Sequence, residues 1–271
     1  MGGRARPVAP LGLAALDEAL PGGGLPLGAL HEIEGERAEW DDGATLGFCL
    51  ALLARLSLAF PRSGPEGKKI LWVSRRGDLY PPALAGQGLD PGRFLLVRPQ
   101  GGRGAGDAEV LWAMEEGLRC RRLAAVVGEI EGLDRLAGRR LQLAAEASRG
   151  ASGDGAGVTA FALHRRFRPL RQGRAASAAL SRWRVTPGAS GASSQDETFG
   201  SLGESFIGRP RWRLDLLRCR GAAPGSWQVE WDDAACGFSL APALRDRSLA
   251  ALPRGESGTA RGELVDFRQA G

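Results

Sequence analysis

Lysine is almost missing from this chain of 271 residues: of its 36 basic side chains only Lys68 and Lys69 are lysines, and the others are arginines. That scarcity bears first on phosphate chemistry, in which a loop lysine reaches the β and γ phosphates of a bound nucleotide. Histidine is as scarce, with His31 and His164 alone. The four cysteines, Cys49, Cys120, Cys219 and Cys236, stand far apart, with no Cys-x-x-Cys pair and no Cys/His ligand spacing. A structural zinc site has no ligand set here, and the thiols read as buried and reduced. No apolar leader follows Arg4 and Arg6, and the most apolar stretch, Leu46 to Phe60, is interrupted by Arg55. It reads as too short to span a bilayer, so a cytoplasmic chain without membrane association is expected.

What is abundant is arginine. The formal net charge is +5 and the isoelectric point is about 9.5. Arginine favours bidentate contact with phosphate and carboxylate, but the same skew follows from a GC-rich coding sequence. At 43% hydrophobic, the chain has enough apolar residues for one large domain and too few residues for two.

Short apolar runs alternate with longer helical segments from Leu25 to about Thr186. The runs are Leu30–Ile33, Ile70–Val73, Phe94–Val97, Leu123–Val127 and Val158–Leu163; the helices lie near Ala44–Phe60, Pro81–Gln87, Asp107–Arg121 and Leu133–Ser148. Continuous apolar strands between helices predict parallel strands buried on both faces, an α/β fold. Residues 187–205, "PGASGASSQDETFGSLGES", are Gly- and Ser-rich and nearly free of large apolar side chains, which predicts a disordered insertion. Beyond it, "RPRWRLDLLRCRG", "SWQVEW" and "CGFSLAPAL" read as strands joined by tight turns, an antiparallel extension of the sheet. The expected organisation is one domain over 1–241 and a flexible tail over 242–271, in which "GELVDF" (262–267) is an amphipathic candidate for partner contact.

Residues 11–56 read as a short helix, a Gly/Pro turn, a strand, a loop opening at Gly35 and a buried helix. A phosphate-binding loop occupies such a setting, with the pattern G-x-x-x-x-G-K-[ST]. Here seven residues separate Gly35 from Gly43, and Ala44 takes the lysine position, followed by Thr45. Asp41 and Asp42 are expected to precede the helix, placing the chain's own carboxylates where an anion would bind; an ordinary helix cap by Asp42 is the simpler local reading. Either way the loop argues against ATP binding.

The lead-in "LDEALPGGGLPLGALHEIEG" resembles the start of the RecA ATPase core, and more closely that of the ImuA family of RecA-like inducible-mutagenesis proteins. "KILWVSRRGDLYPPALAGQGLDPGRFLLVRPQ" (69–100) is similar to the second core strand with the helix and strand after it, and the resemblance runs over about 11–241 outside the insertion. It implies a RecA-like core whose mostly parallel sheet is flanked by helices. By position it sets Arg76 where the catalytic glutamate stands, Gly128 and Glu129 where a magnesium-orienting aspartate closes its strand, and His164 where a glutamine senses the γ phosphate. Such a series of losses implies a degenerate ATPase that is not an enzyme and uses no cofactor or metal.

From Arg165 to Arg184 the sequence "RRFRPLRQGRAASAALSRWR" carries Arg165, Arg166, Arg168, Arg171, Arg174, Arg182 and Arg184 and no acid. These charges suit a phosphate-tracking surface, with Phe167 and Trp183 as stacking faces. In the resembled core this segment is the loop that holds single-stranded DNA. Contact with an acidic partner protein, or plain solvation, fits the same arginines. On the DNA reading, changing Arg165, Arg166 and Arg168 to Ala weakens binding to single-stranded DNA. Trp227 and Trp231 are expected to pack in the core.

Family resemblance further implies action in the SOS mutagenesis cassette. The partners there would be ImuB, a Y-family polymerase homologue, and an error-prone C-family DNA polymerase, in translesion synthesis. An ATP-binding recombinase paralogue and a SulA-like cell-division inhibitor are the alternatives, the first opposed by the missing lysine.

Overall fold

The computed structural model describes residues 6–60, 67–100, 107–151, 155–165, 177–188 and 209–241, all within the compact unit that ends at Ala241. In chain order these residues form β1 (Val8–Ala9), α1 (Ala14–Asp17), β2 (Leu25–Pro26), β3 (Leu30–Glu34), α2 (Ala38–Ala59) and β4 (Lys69–Val73). Next come α3 (Pro81–Gly86), a single 3-10 turn at Pro91–Arg93, β5 (Phe94–Val97), α4 (Ala108–Leu118), β6 (Leu123–Ile130) and α5 (Arg135–Ala151). The described chain closes with β7 (Thr159–His164), β8 (Ser181–Pro187), β9 (Arg211–Cys219), β10 (Gly225–Asp232) and β11 (Gly237–Leu240).

Nine strands make one sheet in the order β11-β10-β9-β8-β3-β7-β6-β4-β5. The pairs from β8 through β5 are parallel, and β9, β10 and β11 continue the sheet antiparallel. This is the expected α/β layout, a mostly parallel sheet flanked by helices with an antiparallel extension.

The apolar runs of the inner strands β4, β6 and β7 are continuous because these strands are covered on both faces. Along β4 the side chains alternate: Ile70 and Trp72 join the core beneath α2, Leu71 and Val73 the core beneath α4 and α5. In β7, Phe161 and Leu163 face the first and Ala160 and Ala162 the second.

The helix α2 differs from expectation. It begins at Ala38 rather than Ala44, so its 22 residues carry Asp41 and Asp42 inside the helix and not before it. From Trp40 to Ala59 it is long and apolar enough, by length and composition, to cross a bilayer. Its apolar side chains Phe48, Leu52, Leu53 and Leu56 are nevertheless buried in the core against the sheet.

The strand β8 was not legible either. Residues 181–187 alternate Ser181, Trp183 and Val185 inward with Arg182, Arg184 and Thr186 on the other face, and β8 lies between β3 and β9. Pro187, expected to open the insertion, instead pairs with Trp212, and the amide of Gly188 donates to the Arg211 carbonyl. The rest of the expected insertion and the whole tail, with 262–267, lie outside the described residues. The strand β9 lies between β10 and β8.

His31, in the middle of β3, is fully buried. Its Nε2 lies 2.9 Å from the Pro26 carbonyl, which can only accept, so Nε2 carries the proton. Nδ1 then accepts from the Ser181 hydroxyl at 2.6 Å, and Ser181 Oγ accepts from Trp183 Nε1 at 3.0 Å. Burial pushes the His31 pKa down to about 4. The folded state therefore resists a proton that the unfolded chain takes up near pH 6.5. Stability is full above that pH and declines as pH falls towards 4, by about 3 kcal/mol in all. Denaturant titrations from pH 7 to 4 are expected to show this slope, and His31→Gln to flatten it.

A candidate functional site filled with its own charges

In open parallel sheets the ligand crevice lies beyond the carboxyl ends of the strands. Here the ends of β3, β4, β6 and β7 bring Glu34, Ser74–Arg76, Glu129 and His164–Arg165 to that crevice, and the loop from Gly35 leads into α2 beside them.

The loop wraps a carboxylate. Oδ2 of Asp41 accepts the backbone amides of Glu36 at 3.0 Å and Arg37 at 2.7 Å, while Oδ1 takes a bond of 3.0 Å from the Arg37 guanidinium. Asp41 is completely buried, and a Cβ on Gly35 would stand 2.7 Å from the Asp41 Cβ. Amides that could cradle a phosphate are thus spent on a side chain one helical turn further on. Gly43 and Ala44 lie within α2, and the hydroxyl of Thr45 donates to the Asp42 carbonyl at 2.9 Å.

Asp42 is not the helix cap; Arg37 holds that position. Its carboxylate instead receives Arg76 Nη1 at 2.7 Å. Arg76, at the end of β4, therefore has a carboxylate partner in the first turns of α2. Arg165 completes the arrangement: both of its Nη atoms meet Asp78 at 3.0 Å, Nη1 also meets Glu129 at 3.0 Å, and Nε lies 3.5 Å from Asp42. Its side chain is 7% exposed. Burial opposes the Arg165 charge, but Glu129, Asp78 and Asp42 outweigh it and hold the guanidinium above its ordinary pKa. Asp78 is held below the usual carboxylate range, because Arg165 overcomes the opposing effect of burial. Glu129 uses its other oxygen to accept from Trp72 Nε1 at 2.9 Å.

Two further clusters adjoin. Arg75 pairs with Asp107 at 2.6 Å, and Asp107 accepts the amides of Glu131 and Gly132. His164 is the last residue of β7, with Nε2 at 3.2 Å from Glu32, which Ser177 and Arg182 also approach. Burial would raise the Glu32 carboxyl, but hydrogen bonds from His164 and Ser177 lower it overall.

The expected basic surface is divided by the structure. Arg165 is interior, Arg182 reaches Glu34 at 2.8 Å and Glu32 at 3.7 Å, and Arg184 meets Glu36 at 3.6 Å. Trp183 is 0% exposed and packs against Phe48 and Trp227, so its ring offers no stacking face. That corrects its assignment to a surface, for a strand alternation hidden in an arginine-rich segment buries every second residue. Arg166, Phe167, Arg168, Arg171 and Arg174 lie outside the described residues. Trp231 is buried and Trp227 packs on the same core, as expected of them.

A nucleotide with magnesium does not fit these groups. The loop amides hold Asp41, the Thr45 hydroxyl is bound within α2, and Glu129 is enclosed by Arg165 and the Trp72 indole. No group of His, Cys, Asp or Glu able to hold a metal is found among the described residues. Asp78, Arg75 and Asp107 were not singled out in the sequence. The spacing of Arg75, Arg76 and Asp78 at a strand end was the available signal.

No family model matches the chain. It is similar to Protein ImuA of Caulobacter vibrioides, in each of two strains. The identity is 38% over 258 residues, covering 92% of this chain and 95% of the relative.

Proposed function

We propose, since this chain belongs to the ImuA family, that it is a non-catalytic accessory factor in DNA-damage-induced mutagenesis. Membership supports a part in the inducible mutagenesis system. The finer reading is that it works by association, joining a Y-family polymerase homologue, ImuB, and an error-prone C-family polymerase in translesion synthesis in the cytoplasm. The observation that carries the non-catalytic half is the closed set of ion pairs from Arg76 and Arg165 to Asp42, Asp78 and Glu129. A former phosphate site that satisfies itself needs no ligand to be stable, and breaking such pairs to admit a triphosphate would cost several kcal/mol.

The single-stranded DNA reading now rests on Arg166, Arg168, Arg171 and Arg174, since the described arginines of the segment are matched by carboxylates. The test is co-expression with the Y-family homologue. Recovery of the two chains together at about equal amounts is expected. Failure to associate, with capture of a cell-division protein instead, would favour the SulA-like alternative and overturn the proposal.

A further inference from the structure

The strand β5 ends the sheet and is unusual for an edge. Leu95, Leu96 and Val97 are 47%, 53% and 41% exposed, and β5 has a single strand neighbour, β4, among the described residues. Natural edges are blunted by lysine, proline, a bulge or an inward charge, because an open row of amides and carbonyls otherwise pairs with another chain. Phe94 to Val97 carry none of these, and their register with Ile70 to Val73 is regular.

The backbone defines what fits. The Val97 carbonyl accepts from the Ser74 amide at 3.1 Å, so Val97 turns its polar groups towards β4. In a regular strand the next residue turns them the other way, so the amide and carbonyl of Leu96 face outward. An extended segment satisfies both groups, whereas a helix satisfies neither. Leu95 and Val97 stand on one face with Leu71 and Val73, and Leu96 stands on the other with Trp72. The occupant is therefore held by aliphatic side chains on alternate sides. At the carboxyl end of the strand Arg98 is exposed.

A second copy of this chain is a poor occupant. Two-fold pairing about Leu96 would set Arg98 opposite Phe94 of the other copy and give the guanidinium no carboxylate. We infer that β5 is a docking edge for one extended segment of a different protein, with alternating aliphatic side chains and an acidic residue placed to meet Arg98. This inference rests on the reading that the chain works by protein association, and it names the surface used.

The test pairs the full chain with the co-expressed Y-family homologue and compares wild type, Leu96→Lys, Leu96→Pro and Leu240→Lys. Leu96→Pro removes an outward amide and no hydrogen bond to β4, and Leu240→Lys charges the opposite edge of the sheet. All variants are first checked for an unchanged melting temperature, and Leu96→Thr replaces any variant that fails to fold. The expected result is at least a tenfold loss of co-purified partner with both changes at Leu96 and none with Leu240→Lys. The Leu96 amide of the wild type should also exchange at least tenfold more slowly in the complex. Full recovery with the Leu96 variants, or equal loss with Leu240→Lys, overturns the docking edge and leaves the functional reading standing. No association by the wild type overturns both.

Discussion

Arg165→Met is expected to lower folding stability by about 3–5 kcal/mol, because it strands Glu129 in the interior and leaves Asp42 and Asp78 short of a cation. A buried ion pair adds little stability by its presence; removing one member is what costs, since the other charge stays desolvated. In a protein of this size such a loss lowers the melting temperature by about 10 °C. Two further variants separate this cause from simple loss of packing. Glu129→Gln alone should cost less, because Arg165 keeps Asp78 and the amide oxygen still accepts from Trp72. Arg165→Met combined with Glu129→Gln should recover part of the loss, because the stranded charge is gone. Thermal and urea unfolding of the three proteins measure both effects. A cost for Arg165→Met within about 0.5 kcal/mol of zero would mean that the guanidinium is solvated and free for a ligand, as an ordinary surface site is.

The second large effect is expected at Trp183. Deleting a fully buried indole leaves a cavity between Phe48 and Trp227 and removes the donor to Ser181, so Trp183→Ala should cost about 3–5 kcal/mol. Trp183→Phe keeps much of the volume and should cost less, though Ser181 Oγ loses a donor. Urea unfolding distinguishes this from the surface role first expected: a base-stacking Trp183 would lose affinity for single-stranded DNA upon change to Ala with its stability intact.

The inner parallel strands β4, β6 and β7 were legible because they are buried on both faces, and double burial writes a continuous apolar run such as Ile70–Val73 or Ala160–Leu163. The strand β8 was not, because one of its faces is polar and its arginines are matched by glutamates of the strand beside it. In sequence, Arg182, Trp183 and Arg184 look like the end of a basic loop; only the register with Glu32, Ile33 and Glu34 reveals a ladder. The start of α2 was misplaced for a related reason. Asp41 and Asp42 carry the composition of a helix cap, yet from inside the helix one reaches back to the loop amides and the other across to Arg76. That Ala44 stands before Thr45 and Arg76 after β4 was visible residue by residue. That Asp42 and Arg76 compensate each other was not, since they lie 34 positions apart and meet only when β3 and β4 end at one crevice.

The crevice beyond the strand ends is filled by the protein's own charges, which pair with one another. The most direct measurement of this is the melting temperature of the purified chain with and without millimolar Mg-ATP, alongside hydrolysis in the presence of single-stranded DNA. A nucleotide at a hundred times its Kd would add about 2.7 kcal/mol, or roughly 5–10 °C. The expected result is an unchanged melting temperature and no phosphate release. A rise of several degrees, or DNA-stimulated hydrolysis, would contradict it.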